Sequence, residues 1–359
     1  MERIEVRLGH KHYPLKIRRG LLDEIGEEVK EVYQGEKIAV ITDENVDNYY
    51  GRQVIDNLQR AGFKAEKIII SPGEKSKSFP VLLKIYEFLA EMGITRGDLL
   101  LTLGGGVVGD LGGFAAATYL RGIPYVQVPT SLLAQIDSSI GGKVAVDLPQ
   151  GKNLVGSFYQ PEAVLIDPDL LQTLEARFFR DGLAEVIKYG CIKDRNLFFS
   201  LLNCPEEEDL LKDMESIIRA CCQIKKDIVE KDEQDQGERM ILNFGHTLGH
   251  ALERYFAYEK YTHGEAVAAG MYMITCISEQ LGMTKAGTSQ KIKAILDKYK
   301  LPIWIEVDNW ERLVNYIKLD KKKRGNRLKL IILKEIGQAE IIESSLDFFK
   351  EGFKLKWGG

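Results

Sequence analysis

The chain has 359 residues, of which 45% are apolar and 28% charged, with a formal net charge of −4. That length exceeds what one hydrophobic core usually organises and suits two domains. The near-neutral balance argues against a nucleic acid or a membrane surface as partner, so an anionic ligand has to be met by locally gathered Lys and Arg. The five cysteines, Cys191, Cys204, Cys221, Cys222 and Cys276, show no C-x-x-C spacing. They make neither a disulfide framework nor a thiolate zinc site, and they fit a reducing compartment. The opening MERIEVRLGHKHYPLKIRRG lacks a hydrophobic core segment, and no apolar run is long enough to span a bilayer, so the expectation is a cytoplasmic protein.

In chain order, KIAVITDENV, KAEKIIISPGE, DLLLTLGG, IPYVQVPT and AVLIDP read as strands. Amphipathic segments such as NYYGRQVIDNLQRAG and FPVLLKIYEFLAEMG separate them. Strand and helix in alternation predict a Rossmann-like α/β domain with a largely parallel sheet. After about residue 175 the character changes. ARFFRDGLAEVIKYGCI, MESIIRACCQIKKDIVEKDE, ERMILNFGHTLGHALERYF and GEAVAAGMYMITCISEQLG each read as a helix, and RLKLIILKEIGQAEIIE as a short β-like tail. The expected organisation is an α/β domain over 1–175 and a mainly α-helical domain over 176–359.

LLLTLGGGVVGDLGGFAAATYL is an apolar strand, a glycine cluster and a small-residue helix, and Gly104, Gly106 and Gly109 satisfy G-x-G-x-x-G there. Such a turn lets backbone approach a pyrophosphate at a helix N-terminus; a tight strand–helix turn is the structural alternative. No acidic residue stands where the usual ribose contact falls after the next strand. Asp43 and Glu74, each following a predicted strand, are the substitutes, with helix capping and a solvated loop charge as their plainer roles. Further on, PTSLLAQIDSSIGGKVAVDLPQGKNLVGSFYQP sets Asp137, Lys143, Lys152 and Asn153 among glycines. With Arg121 and Lys188 that suits an oxyanion or phosphate, although a surface hairpin also tolerates the mixture.

Three of the five histidines fall within eighteen residues: His246, His250 and His263. His246 and His250 are four apart on a predicted helix, without the glutamate of H-E-x-x-H. Catalytic zinc takes three protein ligands and keeps a position open. Spacing offers His246, His250 and His263, or Glu185 in place of one of them, and does not choose.

Taken together, GEKSKS, GGGVVGD, PTSLLAQIDSSIGGK, GKN, GLAEVIKYG, LNFGHTLGHALE, HGEAVAAGM and DKK, in order from about residue 40 to 340, resemble the 3-dehydroquinate synthase family of sugar-phosphate cyclases. The resemblance implies an NAD- and zinc-dependent lyase, with cobalt as the alternative metal. Its substrate is a phosphorylated sugar acid, 3-deoxy-D-arabino-heptulosonate 7-phosphate, closed to 3-dehydroquinate with loss of phosphate in the shikimate pathway of aromatic amino acid synthesis. It implies a homodimer as well. The metal ligands it implies are Glu185, His246 and His263, with His250 carried over to proton transfer. Cofactor contacts by the same matching are Asp43, Asn45, Glu74, Lys77, Gly105, Gly106, Val107, Asp110, Thr130, Ser131, Lys152 and Thr173. Substrate contacts are Arg121, Asp137, Lys143, Asn153, Lys188, Lys225, Arg239 and Asn243, joined by Lys321 or Lys322 of DKKK. Two positions depart from the pattern. Val144 replaces a frequent threonine, and Asp235 stands where the acid/base candidate is usually glutamate, one methylene longer. The rival readings are a cyclase acting on a sugar phosphate without a carboxylate, a metal-dependent polyol dehydrogenase of related architecture, and a non-enzymatic NAD- or metal-binding protein.

Overall fold

The computed structural model describes residues 2–323 and 328–349. Its strands, in chain order, are β1 (Glu2–Arg7), β2 (His12–Ile17), β3 (Lys37–Asp43), β4 (Lys64–Ile70), β5 (Leu99–Gly104), β6 (Tyr125–Pro129), β7 (Lys143–Leu148), β8 (Gly151–Phe158), β9 (Ala163–Ile166), β10 (Leu328–Glu335) and β11 (Gln338–Ser344). Two compact units result. The first is Met1–Glu175 with Met214–Gln234; the second is Ala176–Asp213 with Asp235–Gly359.

The first unit is built on a seven-stranded sheet of order β1-β2-β9-β6-β5-β3-β4. Only the β1–β2 pair is antiparallel; all the other neighbours run parallel. Every residue of β5, β6 and β9 is buried, as expected of strands covered on both faces. Ile38, Val40, Leu99, Leu101 and Leu103 pack with Ile25, Val29, Val54 and Leu58 on one face. Ala39, Ile41 and Leu100 pack on the other with residues of the helices Phe79–Glu91 and Gly106–Thr118. The chain leaves β3 for β4 on one side and returns to β5 on the other. The strand order therefore reverses at β3 and β5, and the region beyond their C-terminal ends is the usual ligand position in an open α/β sheet.

The N-terminal hairpin adds two strands that the sequence pattern did not reveal. Lys16 of β2 is fully buried and ion-paired with Glu28 at 2.6 Å and Glu31 at 2.7 Å. The polar, glycine-rich stretch after β6 becomes the β7–β8 hairpin. The helix Met214–Lys231, expected in the second domain, belongs to the first unit. It packs against β1 and the turn Ala134–Ser138, and Cys222 donates to the Gln135 carbonyl at 3.4 Å.

The second unit is mainly helical and includes the β10–β11 antiparallel hairpin. The helix expected to run unbroken through ERMILNFGHTLGHALERYF is two pieces, the 3₁₀ turn Glu238–Asn243 and the helix His246–Tyr255. Gly245 between them has φ 80°, a left-handed conformation that a helix cannot pass through. Among the described residues no helix is long and apolar enough to cross a membrane.

The helix Gly106–Thr118 approaches the sheet closely enough that a Cβ on Gly112 would collide with Thr102 Cγ2 of β5. Gly112→Val should therefore destabilise the first unit by about 1–3 kcal/mol through overpacking. The check is a urea midpoint lowered at unchanged slope; an unmoved midpoint would refute the close packing.

Candidate functional site

In the second unit, three helices bring the metal-type side chains together. Glu185 lies on Ala176–Ile192, His246 and His250 on His246–Tyr255, and His263 opens His263–Gln280. Glycines allow the approach. A Cβ on Gly264 would strike the Asp181 carbonyl, and one on Gly270 the Gly245 carbonyl. Asp181, one turn before Glu185, accepts from the Gly264 amide at 2.5 Å and ties the first of these helices to the last. A capping box between Thr262 and Glu265 fixes where the last helix begins.

Nε2 of His246 and Nε2 of His263 each lie 3.5 Å from Glu185 Oε1. Donor atoms of these three residues all fall within 4.8 Å of one another. Glu185 is fully buried, and Lys188, one turn on and equally buried, pairs with its other oxygen. A buried carboxylate needs such a partner to remain ionised. Burial pushes the His246 pKa down to about 3, with Lys188, His263 and His250 adding to the effect against Glu185. Burial also works against charge on His263, but its bonds to Glu185 and Glu253 outweigh that and hold its pKa well above the ordinary value. His250 is exposed, with its ring 5.3 Å from that of His246.

Two imidazoles and a carboxylate are the donor set of a catalytic zinc site that keeps a position open. The far side of each ring is also provided for. His246 Nδ1 lies 3.1 Å from the Phe244 carbonyl, and His263 Nδ1 lies 3.5 Å from Glu253 Oε2. A carbonyl or carboxylate at Nδ1 favours the tautomer whose Nε2 lone pair is available to a metal. Arg239 and Asn243 fall on the turn Glu238–Asn243, which packs against the Glu185 helix. Asn243 thus stands on a separate element from His246 rather than one turn earlier on the same helix. Asp235 precedes that turn with φ 56°. The backbones of Lys321 and Lys322 end the helix Trp310–Lys323, and their side chains lie outside the described residues.

In the first unit the glycine turn joins β5 directly to its helix, with Gly105 as N-cap and Gly106 as first residue. Close approach, not positive φ, makes the turn tight at Gly106, while Gly105 has room for ordinary contact. A Cβ on Gly106 would lie 3.1 Å from Ser138 Oγ, and one on Gly105 3.4 Å from Ser131 Oγ. A Cβ on Gly109 would lie 2.9 Å from Gln127 Oε1 of β6. Val107 follows in the same first turn, and the Thr130 amide bonds the Gly104 carbonyl at 3.0 Å, holding Thr130 and Ser131 beside it. Asp43, at the end of β3, caps the short helix Glu44–Val46 by accepting from the Asn45 and Val46 amides at 3.0 and 3.1 Å. Its plainer role is therefore filled. Burial nevertheless raises its pKa against those two bonds.

The remaining first-unit residues fall into groups. Lys77 is buried and pairs with Asp110 and the Asn153 side-chain carbonyl, with Glu74 4.0 Å away. Lys152 lies 3.7 Å from Glu74. Burial opposes charge on Lys77, yet Asp110 and Glu74 raise its pKa. Asn153, expected at the substrate, thus joins the residues expected at the cofactor, with φ 56°. Its amide is held by Asp147 at 2.7 Å. Separately, Asp137 pairs with Lys225 of the helix Met214–Lys231. Thr173 bonds the Tyr50 hydroxyl at 2.7 Å. Arg121 and Lys143 are exposed, Arg121 with φ 69°.

With that geometry in place, residues 67–181 match the family described as 3-dehydroquinate synthase N-terminal, and residues 182–323 the one described as 3-dehydroquinate synthase C-terminal. A 3-dehydroquinate synthase of Clostridium botulinum is 54% identical over 350 residues, 98% of this chain and 100% of the relative. That of Clostridium acetobutylicum is 57% identical over 341 residues, covering 95% and 96%. The chain belongs to the 3-dehydroquinate synthase family. Among solved structures, a 2-epi-5-epi-valiolone synthase of Streptomyces hygroscopicus with NAD+ and Zn2+ bound superposes with TM-score 0.89 at 24% identity, covering 97% of each chain. A 2-deoxy-scyllo-inosose synthase complexed with carbaglucose-6-phosphate, NAD+ and Co2+ gives 0.85 at 23% identity, covering 98% and 99%. These likenesses establish the shared fold.

Sequence reasoning missed Asp147, Asp181 and Glu253. Asp181 and Glu253 sit at helical spacing from site residues, four before Glu185 and three after His250, which is the only signal the sequence carried.

In the metal-free chain the raised pKa of His263 adds stability that is full below the ordinary histidine value and is lost as pH rises through the folded-state value. A metal has to displace that proton. Zinc affinity should therefore weaken as pH falls, with release of about one proton per ion bound near neutrality. Calorimetry in buffers of different ionisation enthalpy measures the release, and a pH-independent affinity would contradict the assignment.

Proposed function

We propose that the chain is the cyclase that converts 3-deoxy-D-arabino-heptulosonate 7-phosphate to 3-dehydroquinate and inorganic phosphate, with NAD and a divalent metal, zinc or cobalt, as its working groups. The observation that carries this reading is the Glu185–His246–His263 donor set, its first two members buried, with Lys188 against the carboxylate. Supporting it is a chain that aligns along nearly its whole length with relatives of that name. Glu185 and Nε2 of His246 and His263 would hold the metal. The Gly105–Val107 turn, Asp43, Asn45, Glu74, Lys77, Asp110, Thr130, Ser131, Lys152 and Thr173 would hold NAD. On this reading the first unit is the NAD-binding part and the second the metal- and substrate-binding part.

When bound, the metal would supply Lewis-acid chemistry toward the substrate hydroxyls and NAD a reversible hydride acceptor. The protein supplies charge, position and proton movement. Lys188 pairs with Glu185 and offsets the burial of its carboxylate, the one acidic donor of the ligand set. His250, exposed and beside the donor set, would carry protons between a bound substrate and solvent. Asp235, on its constrained backbone, is the second acid/base group. Arg121, Asp137, Lys143, Asn153, Lys225, Arg239, Asn243 and Lys321 or Lys322 meet the carboxylate, hydroxyls and phosphate. Charge-assisted bonds of about 1.5–3 kcal/mol each then hold a flexible substrate in one pose. The protein acts as a cytoplasmic homodimer in this reading.

The test is phosphate release from the heptulosonate phosphate. Release should require both NAD and the metal, with no net absorbance gain at 340 nm; activity independent of both, or steady build-up of NADH, would overturn the reading. His250→Ala should lower kcat by about 10²- to 10⁴-fold while zinc still binds. Loss of zinc from that variant would make His250 a ligand.

A further inference from the structure

His263 is offered to a metal from both sides of its ring. Nε2 faces Glu185 at 3.5 Å and Nδ1 faces Glu253 at 3.5 Å. Donor atoms of His250, Glu253 and His263 fall within 4.8 Å of one another, just as those of Glu185, His246 and His263 do. One ring thus belongs to two overlapping three-residue sets, and something has to decide which nitrogen meets the ion. Burial sets one member apart. Glu253 and His246 are buried, whereas His250 is exposed. Glu253 is reached from the helix His246–Tyr255, while His263 begins the next helix, its backbone fixed by the Asp181–Gly264 bond and the Thr262 capping box. Only the ring's own rotation is left for a side chain to set.

We propose that Glu253 is a positioning residue, whose buried carboxylate accepts the Nδ1–H of His263 and so turns Nε2 toward Glu185 as the metal-binding atom. The inference rests on the metal reading of Glu185, His246 and His263 above. A carboxylate on the far nitrogen of a ligand histidine fixes tautomer and orientation and raises the ring's basicity. His246 obtains the same orientation from the Phe244 carbonyl, so the two rings are held by different groups. Loss of Glu253 should therefore weaken the metal without removing a ligand.

The experiment measures Zn2+ affinity of the full-length protein by competition with a chromophoric chelator, alongside the d–d spectrum of the Co2+-loaded form. Glu253→Ala should weaken Zn2+ by about 10- to 100-fold and perturb the Co2+ spectrum, with Glu253→Gln falling between it and the native protein because its amide oxygen still accepts from Nδ1. His250→Ala should leave Zn2+ affinity near native. An affinity within about twofold of native for Glu253→Ala would overturn the positioning role, since such partners typically matter tenfold or more. Equal losses in His250→Ala and Glu253→Ala would overturn it in favour of the His250–Glu253–His263 set. Should Glu253→Ala fail to fold, Glu253→Gln decides alone: weakened Zn2+ binding supports the role and unchanged binding refutes it. Glu185→Ala separates the two levels. If it binds Zn2+ as the native protein does, the metal reading itself fails; if it loses Zn2+ while Glu253→Ala does not, only the positioning role fails.

Discussion

A buried carboxylate organises the second unit. Glu185 is removed from water in the interior of a helix, which an isolated charge does not tolerate. Lys188 offsets that burial from one turn away, and His246 and His263 face the same carboxylate from two other helices. Removing one partner from such a pair typically costs about 3–5 kcal/mol, since the other is left buried and uncompensated. The surrounding architecture serves this cluster. Gly264 and Gly270 let backbone pass against backbone, and Asp181 ties the Glu185 helix to the first turn of the His263 helix. A dication entering the cluster meets ligands already oriented, so little of its binding free energy goes into ordering them.

The first unit solves a different problem with backbone instead of charge. At the ends of β3 and β5 the sheet offers a helix N-terminus with glycines where side chains would intrude. Around it the titratable groups are already engaged: Asp43 caps a helix, and Lys77 gathers Asp110, Asn153 and Glu74. Asn153 and Lys152 reach that cluster from the β7–β8 hairpin, so a segment resembling an exposed loop is fixed by its polar tip. The same unit keeps Asp137 and Lys225 paired through a helix that returns to it from much later in the chain.

Much of this was legible in the sequence, for identifiable reasons. Strands β3, β5, β6 and β9 are β-branched or leucine-rich runs bounded by turns, the pattern of parallel strands covered on both faces, and β4 is a strand whose charged first half fits its place at the sheet edge. Charge interrupts β1 and β2 and hides them from a strand pattern, and what lets Lys16 go inside is its pairing with Glu28 and Glu31 across sequence. The break at Gly245 was hidden because apolar spacing continues across Phe244, while left-handed φ leaves no periodic signature. The return of Met214–Lys231 to the first unit was equally invisible, since an amphipathic face states that it will be buried but not against what. For the histidines, spacing left four candidate ligands open, and the family resemblance divided them. The structure separates them physically, with His246 and His263 facing Glu185 and His250 exposed on the same helix.

The most direct measurement is diffraction from zinc-loaded crystals collected at the zinc absorption edge. The account predicts an anomalous peak about 2.0–2.2 Å from a Glu185 oxygen and from Nε2 of both His246 and His263. A peak bound by His250 and Glu253, with Glu185 still paired to Lys188 alone, would contradict it.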